Sequence, residues 1–164
     1  HRFIASTNRN RVVPDYLSSG SYVPKQTHHT ITNAMDVGDP SNFPRMLEIY
    51  GKQHSAMASD IDGYWFTDDE TRAAMAILQD KYTYQADPHG AVAYAGLLKS
   101  GVLEGNTGIF LETAHPAKFP EEVEKSTNTG VQIPDSLQEV MKREKQSLRM
   151  ENKYENLVEV LRQM

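Results

Sequence analysis

Three kinds of chemistry stand within six residues of one another: the hydroxyl of Thr113, the imidazole of His115 and the ammonium group of Lys118. They follow an apolar run, Gly108-Ile109-Phe110-Leu111-Glu112-Thr113, that passes straight into Ala114-His115-Pro116-Ala117-Lys118-Phe119-Pro120. Residues in loops at strand ends often carry function. A plainer use fits the same residues: a buried threonine bonded to backbone, and a turn in which His115, preceding a proline, is held extended. A second polar cluster, Ser6-Thr7-Asn8 with Asn10, follows the first apolar run. Its side chains could donate hydrogen bonds to a substrate or a phosphate, with Asn8 as the candidate, or they could simply form the turn that Asn and Ser favour. Asp87-Pro88-His89 could set a helix N-terminus against an anion, although an ordinary capped helix explains Asp87 and Pro88 better. Asp36, Ser41, Asn42 and Arg45 lie in or beside a long loop. Arg45 could fork onto phosphate, but a solvated helix face is the simpler use. His28-His29 point apart as neighbours, with no third ligand at i, i+4 spacing, so no metal is expected. No nucleophile elbow, phosphate-binding loop or zinc-protease motif is present.

These residues need elements to hold them. Arg2 to Ala5 reads as a short strand, Val12 to Leu17 as a short helix closed by Gly20, and residues 20–41 as a loop punctuated by Gly and Pro. A loop of this length inside a compact domain tends to be functional. Ser41 is the expected N-cap of a helix to about Gln53, and Gly63 to Phe66 is extended. Thr67 with Glu70 has capping-box spacing and starts a helix to about Asp80 that buries Ala74, Ile77 and Leu78. Tyr82 to Gln85 reads as a strand. Asp87-Pro88 begins a helix carrying Ala91, Val92, Ala95, Leu97 and Leu98 to its stop at Gly101. Residues 108–113 read as a buried strand, 121–125 as a short helix with acids first and lysine last, 134–142 as another, and 152–164 as an amphipathic terminal helix. Strands alternating with helices give an α/β chain with a partial, mostly parallel sheet of three or four strands flanked by helices. So thin a sheet would leave edges for another segment or subunit to cover.

Composition narrows the class. The 164 residues suit one domain, and 38% hydrophobic with 24% charged residues keeps the chain away from disorder. A formal charge of −5 argues against a nucleic-acid partner. The absence of cysteine excludes disulfides, thiolate zinc sites and a cysteine nucleophile. No apolar run approaches the roughly 18 residues of a membrane span, and no apolar core of a signal peptide follows His1. The chain opens in a strand without an initiator methionine, which suggests a piece of something longer.

Four stretches taken together resemble the threonine synthase family of the longer bacterial type. They are Arg2-Phe3-Ile4-Ala5-Ser6-Thr7-Asn8, Asn33-Ala34-Met35-Asp36-Val37-Gly38 with Pro40-Ser41-Asn42-Phe43, Asp87-Pro88-His89-Gly90-Ala91-Val92, and Glu112-Thr113-Ala114-His115-Pro116-Ala117-Lys118-Phe119-Pro120. The tail from Ile133 also resembles that family's end, so the likeness covers nearly the whole chain. The resemblance implies the C-terminal part of a fold-type-II pyridoxal-phosphate (PLP) enzyme, tryptophan synthase beta-like in architecture. Residues 1–125 would belong to the large cofactor-binding domain and 126–164 to a helical tail. It further implies a cytoplasmic lyase that turns O-phosphohomoserine and water into threonine and phosphate. Thr113 would face the pyridine nitrogen of PLP, and Asn8, His115 and Lys118 would touch substrate. The Schiff-base lysine and the glycine-rich phosphate cradle are expected upstream of residue 1, so this chain alone would be inactive without the missing N-terminal half. Two other readings fit parts of the pattern: a non-catalytic interaction domain derived from this half of the fold, and another fold-type-II lyase such as a threonine dehydratase relative.

Overall fold

The computed structural model describes residues 2–163, which divide into two compact units between Gln132 and Ile133. The first unit is built on two parallel strands, β1 (Phe3–Thr7) and β2 (Ile61–Trp65), paired from Phe3 opposite Ile61 to Thr7 opposite Trp65. Parallel strands cannot be joined by a tight turn. The crossover here contains α1 (Val12–Ser19), the long loop, α2 (Phe43–Ile49) and α3 (His54–Asp60). Tyr16, Leu17, Phe43 and Met57 form the small core on that side, where the rings of Tyr22 and Phe43 stack at 3.9 Å. The larger core lies under α4 (Asp68–Tyr82), α5 (Pro88–Ser100) and α6 (Pro120–Thr127), around Met75, Leu78, Val92 and Val123.

Helix starts follow their local chemistry. Thr67 accepts the Glu70 N–H at 3.3 Å while Glu70 accepts the Thr67 N–H at 2.7 Å, the reciprocal pair expected of a capping box. These hydrogen bonds from Thr67 hold the Glu70 carboxyl below its usual range. Asp87 caps α5 by accepting the N–H groups of His89 and Gly90, and Gly101 ends that helix in the left-handed conformation. Within α5, Gly96 lets the helix approach β1, because a Cβ there would overlap the Ser6 side chain and sit 3.1 Å from Ile4.

Four expectations are corrected. The helix expected to continue to Gln53 ends at Ile49, and α3 is a separate helix. Gly51 and Lys52, both at positive φ, break the helix there. Asn42, not Ser41, precedes α2, and no side chain caps it. Tyr82 to Gln85 is no strand: Tyr82 is the last residue of α4, Thr83 turns left-handed, and the Tyr84 N–H bonds back to the Leu78 carbonyl at 3.2 Å. Residues 108–113 form no ladder among the described residues. They keep a strand's alternation, with Phe110 and Glu112 turned inward and Ile109 (82% exposed) and Leu111 (74% exposed) outward. A strand is defined by a neighbour that takes up its N–H and C=O groups, and the described residues supply none. The sheet therefore has two strands rather than three or four.

The second unit holds α7 (Asp135–Met141) and α8 (Tyr154–Gln163). No described helix is long and apolar enough to cross a membrane.

Candidate functional site

The C-terminal ends of β1 and β2 lie on the same side of the sheet, and polar groups collect there. Asn8, one residue past β1, is only 1% exposed. Its amide nitrogen lies 2.8 Å from Thr30 Oγ1 and 2.9 Å from both Thr32 Oγ1 and Asp36 Oδ1. Its oxygen accepts the Asn10 N–H at 2.9 Å, and the Asn10 amide donates to the His28 carbonyl at 2.8 Å. Asp36 Oδ2 accepts the Thr30 N–H at 3.0 Å. The long loop is thus fastened to the end of β1 by a buried polar network, in which each unpaired member would be costly. The structure directs the Asn8 side chain to the loop rather than to open space.

The same loop is tied to α5. The Ala34 N–H donates to His89 Nε2 at 3.2 Å, and His89 Nδ1 donates to Asp87 Oδ1 at 2.6 Å. An Nε2 that accepts leaves the ring proton on Nδ1, so the two hydrogen bonds fix the tautomer. His89 is buried beneath Phe119, ring to ring at 5.0 Å, and does not face an anion from the helix start. Asp87 is buried also, and its bland reading as an N-cap holds.

Asp87 meets a second acid. Its N–H donates to Glu112 Oε1 at 3.2 Å, and the Tyr84 hydroxyl lies 3.5 Å from Glu112 Oε2. Burial, then the hydrogen bond and the negative charge of Asp87, push Glu112 up to about 8. Burial acts to raise Asp87 as well, but the hydrogen bonds from His89 and Glu112 prevail and hold it at about 2. Burial and the neighbouring charge thus favour the protonated form of Glu112 and the ionised form of Asp87. Sequence reasoning passed over Glu112, although an acid inside the apolar run 108–113 was its visible signal. A groove of about 580 Å³ adjoins it, lined by Tyr82, Tyr84, Tyr94 and Phe110 among others.

Thr113 is the next residue, and it is exposed rather than buried. Its side chain makes no hydrogen bond among the described residues. His115 and Lys118 are exposed on the following turn, where His115 Nδ1 accepts the Ala117 N–H at 3.1 Å and so caps the 3-10 turn Pro116–Lys118. Arg45, His28 and His29 are exposed, although the His28 backbone bonds to Asn10 and the His29 ring lies 3.7 Å from Asp36 Oδ2. The four sequence blocks singled out above thus meet through three contacts: Asn8 binds the 30–36 loop, Ala34 binds His89, and Asp87 binds Glu112 beside Thr113.

Parallel strands whose C-terminal ends gather a polar cluster define an α/β protein of the kind that holds its ligand at that edge. The family described as "Threonine synthase, C-terminal" matches residues 90–161. The threonine synthase of Haemophilus influenzae is 44% identical over 136 residues, covering 83% of this chain and 31% of that protein. The Escherichia coli threonine synthase is 41% identical over 138 residues, covering 84% and 32%. The crystal structure of the Escherichia coli enzyme superposes with a TM-score of 0.86 at 34% identity, covering 99% of this chain and 37% of that one. A PLP-bound threonine synthase from Brucella melitensis superposes with a TM-score of 0.78 at 26% identity, covering 99% and 40%. The chain belongs with the threonine synthases and corresponds to their C-terminal portion, spanning about a third of the length of these curated relatives.

Proposed function

We propose that the complete protein carrying this sequence is a PLP-dependent threonine synthase, a lyase acting on O-phosphohomoserine and water to give threonine and phosphate. The observation that carries this reading is the superposition of 99% of the chain on the Escherichia coli enzyme at a TM-score of 0.86. Residues 1–125 would form part of the cofactor-binding domain and 126–164 a helical tail, in a cytoplasmic enzyme. The rest of the protein would supply the lysine that holds PLP and the neighbour that the 108–113 segment lacks here.

The residues present fit the cofactor at one point. Thr113 ends an extended segment with an exposed hydroxyl that no described residue engages, which suits a partner for a ring nitrogen. A neutral hydroxyl can donate or accept there and, unlike a carboxylate, does not force the ring to hold a proton. PLP, when bound, supplies the electron sink for charge developing beside the substrate amine. The chain's own part is to orient the ring through Thr113 and to offer His115 and Lys118 to an anionic substrate. Asn8 acts one step back, by fixing the loop that positions His89. The test is phosphate release from O-phosphohomoserine by the complete protein with PLP, compared with Thr113→Val. The variant should lose turnover by roughly ten- to a hundredfold, the worth of one hydrogen bond at a reacting group, while its unfolding midpoint stays close to wild type. Equal turnover per folded molecule would remove Thr113 from the site, and no phosphate release by the wild type would remove the function.

A further inference from the structure

We propose that Glu112 is a positioning residue: its carboxyl group clamps the 108–113 segment to the first turn of α5 and thereby fixes where the Thr113 hydroxyl stands. The proposal rests on the reading of Thr113 given above and adds a residue that acts through it. Three observations carry it. The clamp has a built seat, because Gly90 is the only side-chain-free position in the first turn of α5 and a Cβ there would lie 2.5 Å from the Glu112 carboxyl carbon. The seat has a dedicated donor, the buried Asp87 N–H at 3.2 Å. Few other anchors hold the segment on this side: Phe110 packs on Tyr94 at 5.7 Å, whereas Ile109, Leu111 and Thr113 face outward.

The clamp depends on a proton. The groups facing Glu112 are Asp87 and, behind it, His89 at the start of α5, Tyr84 on the preceding linker, and Tyr82 and Tyr94 across the groove. No lysine or arginine stands among these groups to neutralise a second charge beside Asp87. Protonated Glu112 donates to Asp87 and accepts from the Asp87 N–H, so both carboxyl groups are satisfied. Once deprotonated, it sets like charges against each other in a partly buried space, and the seat is lost. A glutamine in the same place would accept and donate in the same way at any pH.

The experiment uses the complete protein as wild type, Glu112→Gln and Glu112→Ala. Hydrogen exchange of the amides of residues 109–114 is followed at pH 6.5 and pH 9, and PLP affinity is measured by fluorescence titration of the cofactor-free protein. At pH 6.5, Glu112→Ala should exchange that segment about tenfold faster and bind PLP about tenfold more weakly, and Glu112→Gln should match wild type in both. At pH 9, wild type should lose protection relative to Glu112→Gln. Wild-type protection in Glu112→Ala, or Glu112→Gln as mobile as Glu112→Ala, overturns the clamp. Should Glu112→Ala fail to fold, the comparison of wild type with Glu112→Gln decides: identical protection at both pH values overturns the proposal, and loss in wild type alone supports it. A wild type that binds no PLP would defeat the cofactor reading, while the exchange data would still decide the clamp.

Discussion

Replacing Gly90 by alanine should destabilise the protein, against the usual trend for a glycine inside a helix. Alanine gains about 1 kcal/mol over glycine in a helix interior through lower backbone entropy in the unfolded chain. At Gly90 the three nearest atoms to an added Cβ outside the helix's own backbone all belong to the Glu112 carboxyl group, its carbon at 2.5 Å and Oε1 at 2.7 Å. The obstacle is the end of a flexible side chain, so Glu112 would swing out and the helix would stay. The loss is then that of the seat. The buried Asp87 N–H forfeits its acceptor, at about 1 to 3 kcal/mol. Subtracting the helical gain leaves a net destabilisation of up to about 2 kcal/mol. With Glu112→Ala already in place the carboxyl group no longer fills the seat, and Gly90→Ala should stabilise by up to about 1 kcal/mol. The assay is the unfolding midpoint of wild type, the two single variants and the double variant at pH 6.5, read as a double-mutant cycle. A coupling of about 2 kcal/mol with reversal of sign is the expected result. Equal effects of Gly90→Ala in both backgrounds would show that Glu112 does not occupy that seat.

Three further outcomes follow from the same geometry. The folded protein holds the Glu112 proton up to about 8 against an ordinary value of 4.5. Stability from this group is therefore complete below about 4.5 and is lost as pH rises to about 8, at no more than about 1.4 kcal/mol per pH unit; denaturation from pH 5 to 9 should show this slope in wild type and not in Glu112→Gln. Asp87 has the opposite sign, since its folded value of about 2 lies below 3.8; its contribution disappears as pH falls between those values, and Asp87→Asn should flatten the acid limb of the same titration. Asn8→Ala leaves the acceptors on Thr30, Thr32 and Asp36 without their shared donor; it should cost about 2 to 3 kcal/mol and open the loop between Gly20 and Ser41 to limited proteolysis, and a loop that stays resistant would deny Asn8 its fastening role.

Much of the scaffold was legible in local chemistry. Thr67 and Glu70, Asp87 and Pro88, Gly20 and Gly101 each act on backbone groups within four residues, so the sequence alone places those helix ends. The motif blocks were legible as well, and they pointed to the family that the comparisons support. Strand identity was not, because a strand exists only with a partner elsewhere in the chain. Residues 108–113 carry a strand's pattern but no ladder, and Tyr82 was absorbed into α4. The site's inner wiring was also hidden. Asn8 reads as a free donor until the fold brings Thr30, Thr32 and Asp36 to it from more than 20 residues away. Glu112 reads as a stray acid until Asp87, 25 residues earlier, and the missing side chain of Gly90 give it a seat. Composition and spacing determined which residues could do chemistry and how the helices begin. Tertiary structure alone decided which of them face inward, because hydrogen bonds and desolvation act between groups close in space, however far apart they lie in the sequence.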